Sequence, residues 1–272
     1  MSKLLKYAVK SAAFITFSVL FFIIAYMLIR GIPNLSPSLF LPEYTIENVS
    51  LFPAMITTLM LIILTLIIAT PIGVFTGFYL VEYAKRGSRL VETIRIATET
   101  LSGIPSIIYG LFGMLFFVIY MNFQYSLIAG TLTIGIMILP LIIRSTEEAL
   151  LSVDNSLREG SLALGAGKIH TIFKIVLPSA MPGILSGIIL SIGRIVGETA
   201  ALMFTLGTAT KIPEGFFSSG RTLALHMYIL STEGIHVNES YATGVVLLAV
   251  VLIINYISTA LSNKLAKGNG ND

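Results

Sequence analysis

Apolar runs long enough to cross a bilayer recur along this chain, separated by short polar segments, and they limit its fold more than any other feature. The first spans roughly 12–29, the second 54–80, and the third ends near Tyr120. The others cover about 126–143, 183–206 and 241–261. Only 11% of residues are charged and the mean hydropathy is +0.90, the composition of a polytopic membrane protein. The sequence predicts an all-α fold of six transmembrane helices. It has no cysteine, so disulfide frameworks, thiolate nucleophiles and cysteine metal sites are excluded.

The basic residues orient the spans. Thirteen of the seventeen Lys and Arg fall in segments that alternate to one side, among them Lys3, Lys6, Lys10, Lys85, Arg86, Arg89, Arg95, Arg144, Arg158, Lys168, Lys174, Lys264 and Lys267. Arg30, Lys211 and Arg221 fall on the other side, and Arg194 lies within the fifth span. The positive-inside rule then predicts cytoplasmic N- and C-termini. It makes the polar segment from Arg144 to Pro182 cytoplasmic and places the segments near 31–53 and 207–240 outside. The first run is longer than a secretory signal core and lacks a small-x-small cleavage site, so it is expected to stay as a helix. The expected organisation is residues 1–53 as N-terminal segment, first helix and external loop, 54–262 as permease domain, and 263–272 as cytoplasmic tail.

The segment 159–178 is polar and punctuated by glycine between two apolar runs. It holds Glu159, Gly160 and Ser161, then three residues and Gly165, then nine residues and Ile175, Leu177 and Pro178. This spacing resembles the EAA loop of type I ABC-importer permeases, with Gly160 and Ser161 standing where that motif has two alanines. Three further stretches are similar to the phosphate branch of the family, on the PstA side. They run from Pro71 and Gly73 to Glu82 and Tyr83, from Leu101 to Gly110, and from Gly193 and Arg194 through Glu198 to Thr205.

The resemblance implies a MetI-like permease fold and a coupling helix over about 159–171 that docks in a cytoplasmic ATPase. Glu159 near the helix start would favour the dipole, and Gly165 would allow a sharp turn. Ile175, Leu177 and Pro178 would fix the exit into span five. The partners implied are a second, PstC-like permease subunit, two copies of a PstB-like ABC ATPase, and an external PstS-like phosphate-binding protein. No phosphate-binding GxxxxGK[ST] motif is present, so ATP is expected on the partner ATPase and no cofactor or catalytic residue on this chain. The bland alternative for the loop is an interfacial helix with no partner.

Arg194 lies about mid-span, where a charge normally faces a bundle interior or a water-filled path. A guanidinium fork matches phosphate oxygens. Four residues on, Glu198 should share its face and hold Arg194 when substrate is absent; an ion pair that only orients helices would leave the same trace. Arg144 stands where the family has a second arginine, fifty residues before Arg194; snorkelling to headgroups would explain it equally well. Gly103, Pro105 and Ser106 should break a helix at membrane depth, either as a plain kink or as backbone lining a cavity. His226 and His236 fit no usual metal spacing, so no metal is expected. The function expected is a permease subunit that carries inorganic phosphate inward. Its alternatives are another oxyanion such as sulfate or molybdate, or an ATP-independent secondary carrier.

Overall fold

The computed structural model describes residues 3–85 and 87–268. Arg86 and the Gly/Asn tail after Gly268 lie outside the described residues, as do the side chains of Lys3, Lys264 and Lys267. The chain is helical throughout its apolar runs. The helices are α1 (Lys3–Gly31), α2 (Phe52–Phe78), α3 (Arg89–Ser102), α4 (Ser106–Gly113), α5 (Leu127–Leu151), α6 (Asn155–Ala163), α7 (Lys168–Thr171), α8 (Leu177–Val196), α9 (Ala200–Thr205), α10 (Leu223–Glu233) and α11 (Val237–Gly268). Single π-helical stretches extend α2 over Tyr79–Tyr83, α4 over Met114–Tyr120, and join α7 to α8 over Ile172–Val176.

α5 is the axis of the bundle. Two thirds of its apolar window is buried, against none of the window of α1, which packs mainly on α11. Small residues let the neighbours approach, the usual device where lipid gives no hydrophobic drive between helices. Gly73 and Gly77 of α2 lie against Ile142 and Thr146, and Gly187 of α8 against Ser145. A Cβ on Gly187 would fall 1.9 Å from the Ser145 hydroxyl. Thr57, Thr58, Thr133, Ser191 and Thr205 return their hydroxyls to carbonyls four residues back, which keeps polar groups satisfied inside apolar helices.

Among the described residues five helices are long and apolar enough to cross a membrane, and a bent pair, Arg89–Ser102 with Ser106–Tyr120, brings the number to six when counted as one broken span. Its two arms meet at 103°. Gly103 and Pro105 break the helix where the sequence predicts it: Pro105 has no N–H to give and holds an extended ψ of 142°. The Tyr109 hydroxyl donates to the Leu101 carbonyl at 2.7 Å and fixes the corner.

Span five differs from the expectation of 183–206. The apolar rod runs from Lys168 to Val196, then breaks at Gly197–Thr199 before α9. Ile175, Leu177 and Pro178 are therefore inside one continuous rod rather than at its entrance. Pro178 cannot donate to the carbonyl four residues back, and the π-helical turn Ile172–Val176 precedes it. The fully buried anchors there are Ile172 and Val176, with Ile175 and Leu177 only partly covered.

The bundle has two distinct ends. One, the basic end, carries the 79–102 segment and the 144–176 segment, tied by Arg95–Glu147 and Arg158–Glu82 ion pairs. At the opposite end the 32–51 loop packs Leu39, Val49 and Leu51 on Leu223, Leu230 and Ala242, and Thr58 accepts a hydrogen bond from the Leu223 N–H at 2.9 Å.

Candidate functional site

A cavity of about 620 Å³ opens between α3, α5 and α8. The 103° corner turns α3 across the bundle, so that one polar stripe at helical spacing, Arg95, Thr98, Glu99 and Ser102, lines it. One turn before Arg95, Val91 is buried against Leu80 and Ile143 and seats the start of α3. α5 contributes Arg144, Glu147 and Glu148, and α8 contributes Arg194. Arg95 Nη2 lies 2.6 Å from Glu147 Oε1, and Arg144 Nε 3.0 Å from Glu148 Oε1. No carboxylate reaches Arg194 among the described residues.

Arg194 is deep. Gly183 packs at the level of Ala149 and Gly187 at the level of Ser145, so α8 climbs antiparallel to α5. Seven residues beyond Gly187, Arg194 lies about 10 Å further in, close to the middle of α5. A cation unpaired at this depth is costly unless water or an anion reaches it, and the cavity supplies that access.

Arg194 and Arg144, the two arginines singled out from sequence, thus meet in one cavity. Glu198 does not join them. α8 ends at Val196, so the spacing of four no longer places Glu198 on the face of Arg194. Its carboxylate is buried and accepts the Ala201 N–H at 3.0 Å, capping α9. Gly103, Pro105 and Ser106 also lie outside the lining; they aim α3 rather than contact the cavity. Arg95, Glu99 and Glu147 are additions. The polar stripe of α3 is visible in the sequence, but the pairing of Arg95 with Glu147, 52 residues away, is not.

Below the cavity, the 155–171 segment is a helical hairpin. Asp154 caps α6 by accepting the Ser156 N–H at 2.8 Å, and that bond holds its carboxyl below the usual carboxylate range. Glu159 is therefore in the second turn of α6, not at its start, and the dipole argument passes to Asp154. The single coupling helix expected over about 159–171 is two helices, α6 and α7, with the turn between them. Gly165 makes that turn at φ +84°. Its N–H donates to Leu162 and the Ala166 N–H to Ser161, a Schellman closure. Ser161 and Thr171 hydroxyls meet at 2.8 Å across the hairpin. Glu159 and Gly160 are exposed, as are Leu157, Leu162, Leu164 and Ile169, Leu164 to 91%. Bare apolar tips on a polar segment are the kind of surface that contacts a partner or a membrane.

The hairpin is gripped from α2. Arg158 Nη2 lies 3.1 Å from Glu82 Oε1, and the same guanidinium donates to the Leu150 and Val153 carbonyls at 2.8 Å each. Lys168 donates to the Glu82 carbonyl and sits 4.9 Å over the Tyr83 ring. Nothing in the sequence points to this clasp, since its arms are 76 residues apart.

A second cavity of about 540 Å³ at the opposite end is lined by Tyr125, Met203 and Ser219 among others and carries no charged side chain. Beside the 32–51 loop, Arg221 stacks 4.7 Å over the Tyr44 ring, and His226 meets that ring edge-on at 6.1 Å. His226 is fully buried; burial, and then Arg221, push its pKa down to about 3 against a smaller opposing pull from the Val49 backbone. His236 lies apart, 3.7 Å from Glu239.

The family model for binding-protein-dependent transport system inner membrane components matches residues 69–268. The probable ABC transporter permease protein YqgI of Bacillus subtilis (strain 168) is 36% identical over 223 residues, which cover 76% of each chain. Phosphate transport system permease protein PstA 1 of Mycobacterium tuberculosis (strain CDC 1551 / Oshkosh) is 37% identical over 188 residues, 69% of this chain and 61% of that relative. This chain thus spans less than two thirds of that relative's length. The inward-facing MetNI methionine ABC transporter matches with a TM-score of 0.62 over 89% of this chain and 97% of that one. Its 19% identity carries the fold alone. The chain belongs to the family of binding-protein-dependent transport system inner membrane components, as a PstA-like permease of the ABC-importer type.

Proposed function

We propose that this permease subunit conducts inorganic phosphate into the cytoplasm, driven by ATP that a separate ATPase binds and hydrolyses. The observation that carries the reading is Arg194, a cation at mid-bundle with no counter-ion among the described residues, lining a cavity with Arg95 and Arg144. Three guanidiniums around one cavity suit a tetrahedral oxyanion, which each fork meets with two parallel N–H bonds. The phosphate transport named for the Mycobacterium tuberculosis relative supports phosphate among oxyanions.

In this reading the basic end is cytoplasmic, as are both termini, and the cavity is open inward. The α6–α7 hairpin docks on the ATPase through its bare apolar tips. A second, PstC-like permease subunit completes the path, and an external PstS-like binding protein delivers the anion at the opposite end. ATP then biases the bundle between two states rather than pushing the ion. No residue of this chain acts catalytically and no cofactor is bound by it.

Reconstitution with the partner subunits in vesicles tests the reading. Uptake of labelled phosphate should require ATP and binding protein and should resist a tenfold excess of sulfate or molybdate. Uptake abolished by one of those competitors would reassign the substrate. Uptake driven by an ion gradient without ATP would overturn the importer mechanism.

A further inference from the structure

The Arg95–Glu147 pair ties α3 to α5 at the wall of the cavity. Arg95 is 52% exposed and Glu147 15%, so their ion pair lies in the open part of the cavity wall with the carboxylate as the fixed partner. One Nη2 contact engages a guanidinium that has five N–H donors. Arg95 lines the same cavity as Arg144 and Arg194. The cavity lining holds three arginines, Arg95, Arg144 and Arg194, and three glutamates, Glu99, Glu147 and Glu148. Its formal charges cancel. A site built to hold an oxyanion tightly would have a surplus of cations at low dielectric.

We propose that Arg95 is a further anion-contacting residue and that Glu147 is its built-in competitor, so that the cavity in this state binds a tetrahedral oxyanion weakly and releases it. The inference rests on the oxyanion reading above and adds a direction to it. An anion reaching Arg95 must exchange with the Glu147 carboxylate, which stays attached and returns when the anion leaves. Glu148, itself two thirds exposed, pairs with Arg144 at 3.0 Å as a looser competitor. Arg194, deeper and with no such competitor among the described residues, offers its charge continuously. The path then descends from a free arginine to two arginines that carry their own counter-ions, a gradient that favours exit at the basic end.

The test is inhibition of uptake by phosphate loaded inside the vesicles, measured on the complete transporter with ATP and binding protein. Glu147→Gln leaves a net positive cavity and should lower the half-inhibitory internal phosphate concentration by about three- to tenfold. Arg95→Gln should raise it by a similar factor, and the double variant should return toward the parent value. Glu147→Asp, which keeps the charge, should behave as the parent. A merely structural ion pair predicts that both single variants move the same way, or that neither moves the constant, and either result overturns the proposal. If Glu147→Gln does not assemble, the direction of the Arg95→Gln shift still decides. If sulfate rather than phosphate proves to be the cargo, the same series is run with sulfate, so failure of the substrate assignment is distinct from failure of the competitor mechanism.

Discussion

Gly165 holds φ at +84°, where an added Cβ costs about 1–2 kcal/mol. No atom lies within 4 Å of that Cβ position, so the cost is backbone strain and not a clash. Gly165→Val should therefore loosen the α6–α7 hairpin without disturbing the bundle. Capture of the ATPase by the solubilised permease should weaken by about tenfold while the unfolding midpoint stays put. Unchanged capture would detach this turn from ATPase docking. His226 gives a pH signature. Its folded pKa of about 3 lies below the unfolded value near 6.5, so the folded state prefers the neutral ring. Stability is complete above pH 6.5 and is lost as pH falls below it, about 2 kcal/mol by pH 5. His226→Leu should flatten that part of the unfolding-midpoint profile; a slope unchanged from the parent would assign it to other groups.

At the scale of elements, α3 and the α6–α7 hairpin show what a single chain reveals of a site and what it hides. The break at Gly103 and Pro105 is legible because Pro lacks a donor, but its angle is not. Only the 103° corner turns Arg95 from a residue that sets topology into a cavity wall. Arg194 and Arg144 are legible because a charge in an apolar run is costly wherever it lies. Glu198 misleads for a physical reason. Spacing of four means a shared face only while the helix lasts, and α8 stops two residues earlier. The Arg158–Glu82 clasp is invisible to any local pattern. It joins the hairpin to α2, and both partners are largely covered, to 18% and 10% exposure. Removing Arg158 strands Glu82 and two carbonyls, a loss of about 2 kcal/mol after discounting for residual solvent. Arg158→Ala should lower the unfolding midpoint by about 4–8 °C. It should also lower phosphate moved per ATP hydrolysed, because the hairpin would move without α2. A full transport ratio in that variant would leave the clasp a local brace only.

For the whole molecule, six apolar runs and a one-sided count of Lys and Arg are enough to predict the bundle, since lipid leaves the backbone few alternatives. Its axis is not legible in that way. α5 becomes central because Gly73, Gly77 and Gly187 let α2 and α8 close on it, a matter of which small residues face each other. The resulting body has a basic end with a docking hairpin and a charge-lined cavity, and an opposite end with an uncharged cavity and a loop packed over α10. These parts form one importer if the anion passes Arg194. The most direct measurement is phosphate uptake by vesicles holding the complete transporter with Arg194→Ala, read alongside binding-protein-stimulated ATP hydrolysis. Uptake should fall at least tenfold with assembly intact and ATP hydrolysis still stimulated, because the hairpin is untouched and only the anion contact is lost. Uptake at the parent rate would contradict the account.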